Sequence, residues 1–137
     1  MKRTLELENK LSELSRLLDV TEEFLESGRV PVPVQYKIKL IFDEMFSNIV
    51  SYGYHPEDPP DRIRIEMSLK DKKFTGTLDD GGIPFNPLEQ DHADTTLPAE
   101  ERPIGGLGIH LVRNLTHELS YKREKNRNVF CFSMEIE

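Results

Sequence analysis

The chain has 137 residues, 36% of them hydrophobic and 31% charged, with a mean hydropathy of −0.54, which sets an expectation of one soluble domain over 1–137 with a core of its own. A formal charge of −7 excludes a broadly basic nucleic-acid surface, and no basic stripe with interleaved aromatics is present, yet a local nucleotide pocket is compatible with that charge. One cysteine excludes an internal disulfide, and with neither a signal-type apolar core in MKRTLELENK nor a stretch of transmembrane length, a cytoplasmic protein without membrane or nucleic-acid partners is expected.

Lys2 to Glu8 reads as a short strand with Leu5 and Leu7 on one face. Leu11, Leu14, Leu18 and Phe24-Leu25 then recur at helical spacing to about Glu26, with Gly28 as a stop. A leucine stripe this short is core or a dimer edge rather than a long coiled coil. Pro31 and Pro33 interrupt the pattern and set up a second helix, read from Tyr36 onward. Its stretch Leu40 to Val50 is almost wholly apolar, and His55-Pro56 with Pro59-Pro60 close it in a turn. Arg62 to Lys70 alternates strictly, Ile63, Ile65, Met67 and Leu69 against Arg64, Glu66 and Ser68, the pattern of a half-buried strand. Asp71-Lys72 turns the chain into a hairpin partner, Lys73 to Asp79. From Asn86 to about Pro103 a polar, proline-containing stretch has no periodicity, which suits a functional lid or disorder. Gly105-Gly106-Leu107-Gly108 opens a third helix, Ile109 to about Thr116. Two strands, Glu118 to Arg123 and Val129 to Ile136, flank an Asn126-Arg127-Asn128 turn, with Phe130, Phe132, Met134 and Ile136 on one face. Tight turns between consecutive strands predict a mixed, mainly antiparallel sheet, and apolar helices must cover one face of it, a two-layer α/β sandwich.

Three stretches carry chemistry. On the second helix Glu44, Ser47, Asn48 and Ser51 fall at i, i+3, i+4 and i+7, one polar stripe beside the apolar Ile41, Met45 and Ile49. A carboxylate and an amide on so apolar a helix need partners, which a bound ligand with its metal ion would supply. Asp80 stands at a strand end before Gly81-Gly82-Ile83-Pro84-Phe85. Glycines there let backbone approach a ligand closely, and a carboxylate in a dry pocket accepts from an exocyclic amine such as adenine's; Asp-Gly also makes ordinary turns. The glycine cluster at 105–108 suits a phosphate through free N–H groups and the helix dipole, or is an ordinary loop start. It fits neither G-x-x-x-x-G-K-[ST] nor the Rossmann fingerprint. His110 and His117 share a helix without a third metal ligand, His55 and His92 read as surface residues, and Cys131 inside a strand reads as structural. Asp43 points away from Glu44 by about 100°, solvated or capping.

Taken together, Glu44-x-x-x-Asn48, Asp80-x-Gly82-x-Pro84-Phe85 and Gly106-x-Gly108, in this order with a loop between the last two, resemble the N box and the two glycine boxes of the Bergerat-type ATP-binding fold. Histidine kinases, type II topoisomerases and heat-shock chaperones share that fold. The closer resemblance is to its stand-alone branch, the anti-sigma-factor serine/threonine protein kinases of bacterial partner switching. It is carried by Glu44 with Asn48, by Gly53-Tyr54, and by Gly-Ile-Pro-Phe-Asn-Pro from Gly82. It covers roughly Tyr36 to the C-terminus.

The resemblance implies that Asn48 coordinates Mg²⁺ through its amide oxygen, with the ion bridging the phosphates of ATP. Glu44 would be the general base toward a serine hydroxyl or water. Asp80 would read the adenine amine and Gly82 would let the base lie against the backbone, within the box that includes Pro84 and Phe85. Gly106, Leu107 and Gly108 would hold phosphates under a lid from Asn86 to Ile104, in which Arg102 touches the γ-phosphate or is an exposed loop arginine. A homodimer is further implied, one that phosphorylates a small anti-anti-sigma antagonist protein and sequesters a sigma factor or similar target. Family members often carry a basic residue and a histidine where this chain has Ser51 and Tyr52, and a Gly-Thr pair where it has Arg127-Asn128. Two other readings are a catalytically inactive ATP-dependent protein-binding module and the catalytic half of a histidine kinase; the latter lacks a histidine before Tyr36.

Overall fold

The computed structural model describes residues 1–86 and 112–136. Along the chain these form β1 (Lys2–Glu8), α1 (Leu14–Ser27), α2 (Val32–Tyr52), β2 (Arg62–Lys70), β3 (Lys73–Asp80), β4 (Glu118–Glu124) and β5 (Arg127–Glu135). A single 3-10 turn, Leu11–Glu13, leads into α1, and residues 112–115 are helical ahead of β4. The glycine cluster Gly105-Gly106-Leu107-Gly108, the expected lid beyond Asn86, and Arg102, His92 and His110 lie outside the described residues.

Helix α1 ends in a Schellman motif. Val30 N–H donates to Leu25 O and Arg29 N–H to Glu26 O, with Arg29 in the left-handed region at φ 58°. The expected stop, Gly28, is therefore one residue ahead of the left-handed position, and a Cβ added to Gly28 would lie 2.3 Å from Leu69 Cδ1. The buried face of α1 is Leu17, Thr21, Phe24 and Leu25. Leu11, read as part of the stripe, is 53% exposed. Helix α2 begins at Val32, four positions before the expected Tyr36, because Pro33 sits in the first turn, where its missing N–H has no partner to lose.

The strands form one sheet in the order β1-β2-β3-β5-β4, and every described pairing is antiparallel; the parallel component of the expected mixed sheet is not present among them. Two-residue hairpins explain this for β2 with β3 and for β4 with β5. Asp71 and Lys72 take φ 53° and 61°, and Lys125 and Asn126 take 52° and 63°, positive at both central positions as type I′ turns require. The second turn corrects the expected Asn126-Arg127-Asn128: the turn is Lys125-Asn126, so Arg127 and Asn128 belong to β5. Asn128 pairs there with Asp80 of β3.

Strand alternation sends Leu5, Leu7, Ile63, Ile65, Met67, Phe74, Leu78, Phe130, Phe132 and Met134 to one buried face. Against it α2 packs Ile38, Ile41, Phe42, Met45 and Phe46, the two layers of the sandwich. Phe42 meets Phe132 edge-on at 5.2 Å and Phe74 at 6.2 Å. These rings lie over Gly76 of β3, where a Cβ would fall 2.6 Å from Phe132 and 2.9 Å from Phe42. The outer strands of the described sheet carry charge, Lys2 pairing with Glu66 and Lys122 with Glu124. No described helix is long and apolar enough to cross a membrane.

Alanine normally suits a strand better than glycine, yet Gly76→Ala is expected to lower stability by about 1–3 kcal/mol through overpacking under the rings. Urea unfolding reads this as a lower midpoint at an unchanged slope; a midpoint at or above wild type would show that the rings yield.

Candidate functional site

The site is organised by α2, whose buried side is apolar and whose C-terminal half carries Glu44 and Asn48 one turn apart. Asn48 is 4% exposed, and its amide nitrogen donates to Glu44 Oε1 at 3.2 Å. That bond commits the nitrogen to protein, and among the described residues the amide oxygen receives no hydrogen bond. Burial raises the Glu44 pKa, the Asn48 bond partly offsets this, and the neighbouring Asp43 charge adds to it. Asp43 itself accepts from Ser47 Oγ at 3.4 Å, so the polar stripe resolves into two coupled pairs, and Ser51 at its end is exposed.

At the far end of α2 the Asp80 turn is fastened to the helix. Ile83 N–H donates to the Gly53 carbonyl at 3.0 Å. Gly82 packs so closely that a Cβ would lie 2.4 Å from Gly53 O, so here the absent side chain serves the approach of backbone to helix end. Tyr54 Oη donates to Asp61 Oδ2 at 2.7 Å and accepts from Gly81 N–H at 3.2 Å. Burial, then the Asp61 bond, holds the Tyr54 hydroxyl well above its ordinary titration range, so it stays a donor. Phe85 stacks on Tyr52 at 5.9 Å and 20°, while Pro84 is exposed. Helices rise about 1.5 Å per residue, so Asn48 stands about 7.5 Å and Glu44 about 13.5 Å along the axis from Gly53.

Asp80 is 2% exposed. Its Oδ1 accepts from Gly82 N–H at 2.9 Å and from Asn128 Nδ2 at 3.0 Å. Burial raises its pKa, opposed by these two bonds and by Arg127. Arg127 is held by Asp79 through Nε at 2.5 Å. The structure thus joins Asp80, Gly82 and Phe85 in one turn and Glu44 with Asn48 in one pair, both on α2. Gly106, Leu107 and Gly108 fall outside the described residues. Beside the turn Tyr54, Pro59, Pro60, Ile83, Pro84 and Arg123 wall an open groove of about 540 Å³. Its walls do not include Asp80, Asn48 or Glu44.

Several residues escaped the sequence reading. Asn128, 3% exposed, bonds Asp80 from β5, and Tyr121 and Arg123 of β4 bond Asn128 in turn. Only the strand register, with Asn128 opposite Asp80, could have revealed them. Tyr52, a departure from the family pattern, is the stacking partner of Phe85. His117, expected on the third helix with His110, instead lies past helical residues 112–115 and accepts from Glu135 N–H at 2.8 Å.

A half-buried carboxylate and a buried amide thus stand one turn apart on a helix, with a buried carboxylate clamped in a glycine turn at the end of that helix. The chain belongs to the histidine kinase-like ATPase domain family, which matches residues 7–134. It is similar to the serine/threonine-protein kinase BtrW of Bordetella bronchiseptica, 25% identical over 125 residues that make up 91% of this chain and 87% of that protein. It also superimposes on the RsbU and RsbW domains of Rv1364c from Mycobacterium tuberculosis with a TM-score of 0.70 and 11% identity over 99% of this chain, spanning 32% of that one. The histidine kinase domain of the Erythrobacter litoralis EL346 blue-light activated histidine kinase gives a TM-score of 0.60 at 16% identity, over 92% of this chain and 60% of that one. These two likenesses establish the fold, an open antiparallel sheet covered by helices.

Gly82→Ala is expected to push the turn off the helix end. Amide exchange should show Ile83 losing protection, with a thermal midpoint several degrees below wild type; full protection at Ile83 would show that the turn holds without the close approach.

Proposed function

We infer that the chain binds ATP with Mg²⁺ and transfers the γ-phosphoryl group to a serine or threonine of another protein, as an anti-sigma regulatory kinase of a bacterial partner-switching system. The observation that carries this reading is the hydrogen-bonded Glu44–Asn48 pair, set along one helix axis from the clamped Asp80. Base reader, cation ligand and proton acceptor follow one another there in the order in which ATP carries base, phosphates and transferable group. The name of BtrW supports a hydroxyl rather than a histidine acceptor.

Each residue then has a task. Asp80 offers Oδ2 to the adenine amine, since Oδ1 is occupied by Gly82 and Asn128. Gly82, Pro84 and Phe85 shape the turn against which the base lies, and Gly106, Leu107 and Gly108 are assigned to the phosphates. Asn48 suits Mg²⁺ because an amide oxygen is a hard donor, with phosphate oxygens and water completing such sites. When bound, the ion neutralises phosphate charge. Glu44 orients the attacking hydroxyl and takes its proton, and its burial keeps the carboxylate basic enough to do so. Positioning and charge neutralisation carry most of phosphoryl transfer, so a short set of side chains suffices. In this reading the 1–137 domain works in the cytoplasm as a homodimer, with a small antagonist protein as substrate and a sigma factor or similar regulator as target.

Four outcomes test it. Asp80→Asn should abolish ATP binding by calorimetry, and retained micromolar affinity would remove the adenine assignment. Glu44→Gln should leave binding intact and lower transfer by a factor of about 10²–10⁴; equal loss of both would make Glu44 structural. A base acts only when ionised and the Glu44 pKa is raised, so wild-type transfer should fall as pH drops through that raised value, a limb the Glu44→Gln residual rate should lack. Transfer from γ-labelled ATP into a lysate, with phosphoamino-acid analysis, identifies the acceptor. Label absent with ATP binding intact would assign a nucleotide-dependent binding module instead.

A further inference from the structure

Asn128 makes more side-chain bonds than any role in β5 requires. Its Nδ2 donates to Asp80 Oδ1 at 3.0 Å and to Ile83 O at 2.8 Å. Its Oδ1 accepts from Phe85 N–H at 3.3 Å, from Arg123 Nη1 at 3.2 Å and from Tyr121 Oη. Donors on one side and acceptors on the other fix the amide's orientation, since a flip would set oxygen against two oxygens. Arg123 adds a bond of its own to Gly82 O at 2.8 Å. One buried side chain therefore grips the carboxylate of Asp80 and, on either side of Pro84, the backbone of the turn that follows it.

Resting on the nucleotide reading above, we propose that Asn128 is the positioning residue of the base site: by occupying Oδ1 of Asp80 it presents Oδ2 as the acceptor and thereby selects an amino-bearing purine over an oxo-bearing one. Freed of Asn128, the carboxyl of Asp80 takes up a proton more readily and, once protonated, offers guanine's oxygen a donor in place of an acceptor. The charged and titratable groups around Asp80 are Asp79 on its own strand, Arg127 on β5, Tyr54 and Asp61 at the end of α2 and the loop beyond it, and Tyr121 and Arg123 on β4. Of these, Arg127 favours the ionised form and Asp79 opposes it, while the bond from Asn128 also favours it.

The test compares Asn128→Asp and Asn128→Ala with wild type, measuring ATP and GTP affinity by calorimetry from pH 8 to pH 5.5. Taking variant over wild type at each pH cancels the titration of the nucleotide. Asn128→Asp keeps the bonds from Phe85, Tyr121 and Arg123 but faces Asp80 with an oxygen. ATP affinity should fall about tenfold or more at pH 8 and recover on acidification, as the introduced carboxyl gains a proton and becomes a donor. Asn128→Ala removes a bond that favours ionised Asp80, so its ratio should worsen on acidification, and its ATP over GTP preference should drop about tenfold. Opposite pH slopes are a signature that loss of folding stability cannot produce. Flat ratios with an unchanged ATP over GTP preference overturn the proposal while leaving the nucleotide reading intact. Should Asn128→Asp not fold, the slope and preference of Asn128→Ala decide. Failure of wild type to bind ATP overturns the nucleotide reading, and this proposal with it.

Discussion

A single backbone hydrogen bond, Ile83 N–H to the Gly53 carbonyl, sets the dimensions of the site. It joins the end of β3 to the end of α2, two elements made by unrelated parts of the chain. A side chain at residue 82 would prevent that approach, and Tyr54 reinforces it by bridging Asp61 and Gly81. Once the turn is docked, helix geometry alone dictates how far Asn48 and Glu44 stand from Asp80. A helix is a stiff ruler, so the spacing needs no further device.

The same helix belongs to the core. Ile41, Phe42, Met45, Phe46 and Ile49 are buried against the sheet, and the aromatic contacts of Phe42 with Phe74 and Phe132 tie it to β3 and β5. Those are the strands that carry Asp80 and Asn128. Core packing thus orients the site from below, and the carboxylates sit in an environment dry enough to raise their pKa values.

What was legible in the sequence followed local rules. The alternation in Arg62–Lys70 gave its strand and its buried face together, and the i, i+4 spacing of Glu44 and Asn48 placed them side by side as found. The failures were also physical. Pro33 looked like an interruption, although a first-turn proline has no helical bond to break. Asn126-Arg127-Asn128 looked like a turn by composition, whereas the positive φ values fell on Lys125 and Asn126. That shift of register carried Asn128 into β5 and opposite Asp80, a partner 48 residues away, which no local pattern encodes. Tyr54 and Asp61 met across a proline-containing loop for the same reason.

The outer strands of the described sheet have one more consequence. An edge of unpaired backbone groups is a template for other chains, and charged side chains along it are one way to blunt that hazard. In β1 the sequence KRTLELE and in β4 the sequence ELSYKRE give a would-be neighbour charged side chains of both signs to desolvate before it can hydrogen-bond. Strand addition is thereby made costly, so the outermost side chains of the described sheet guard the backbone that they flank.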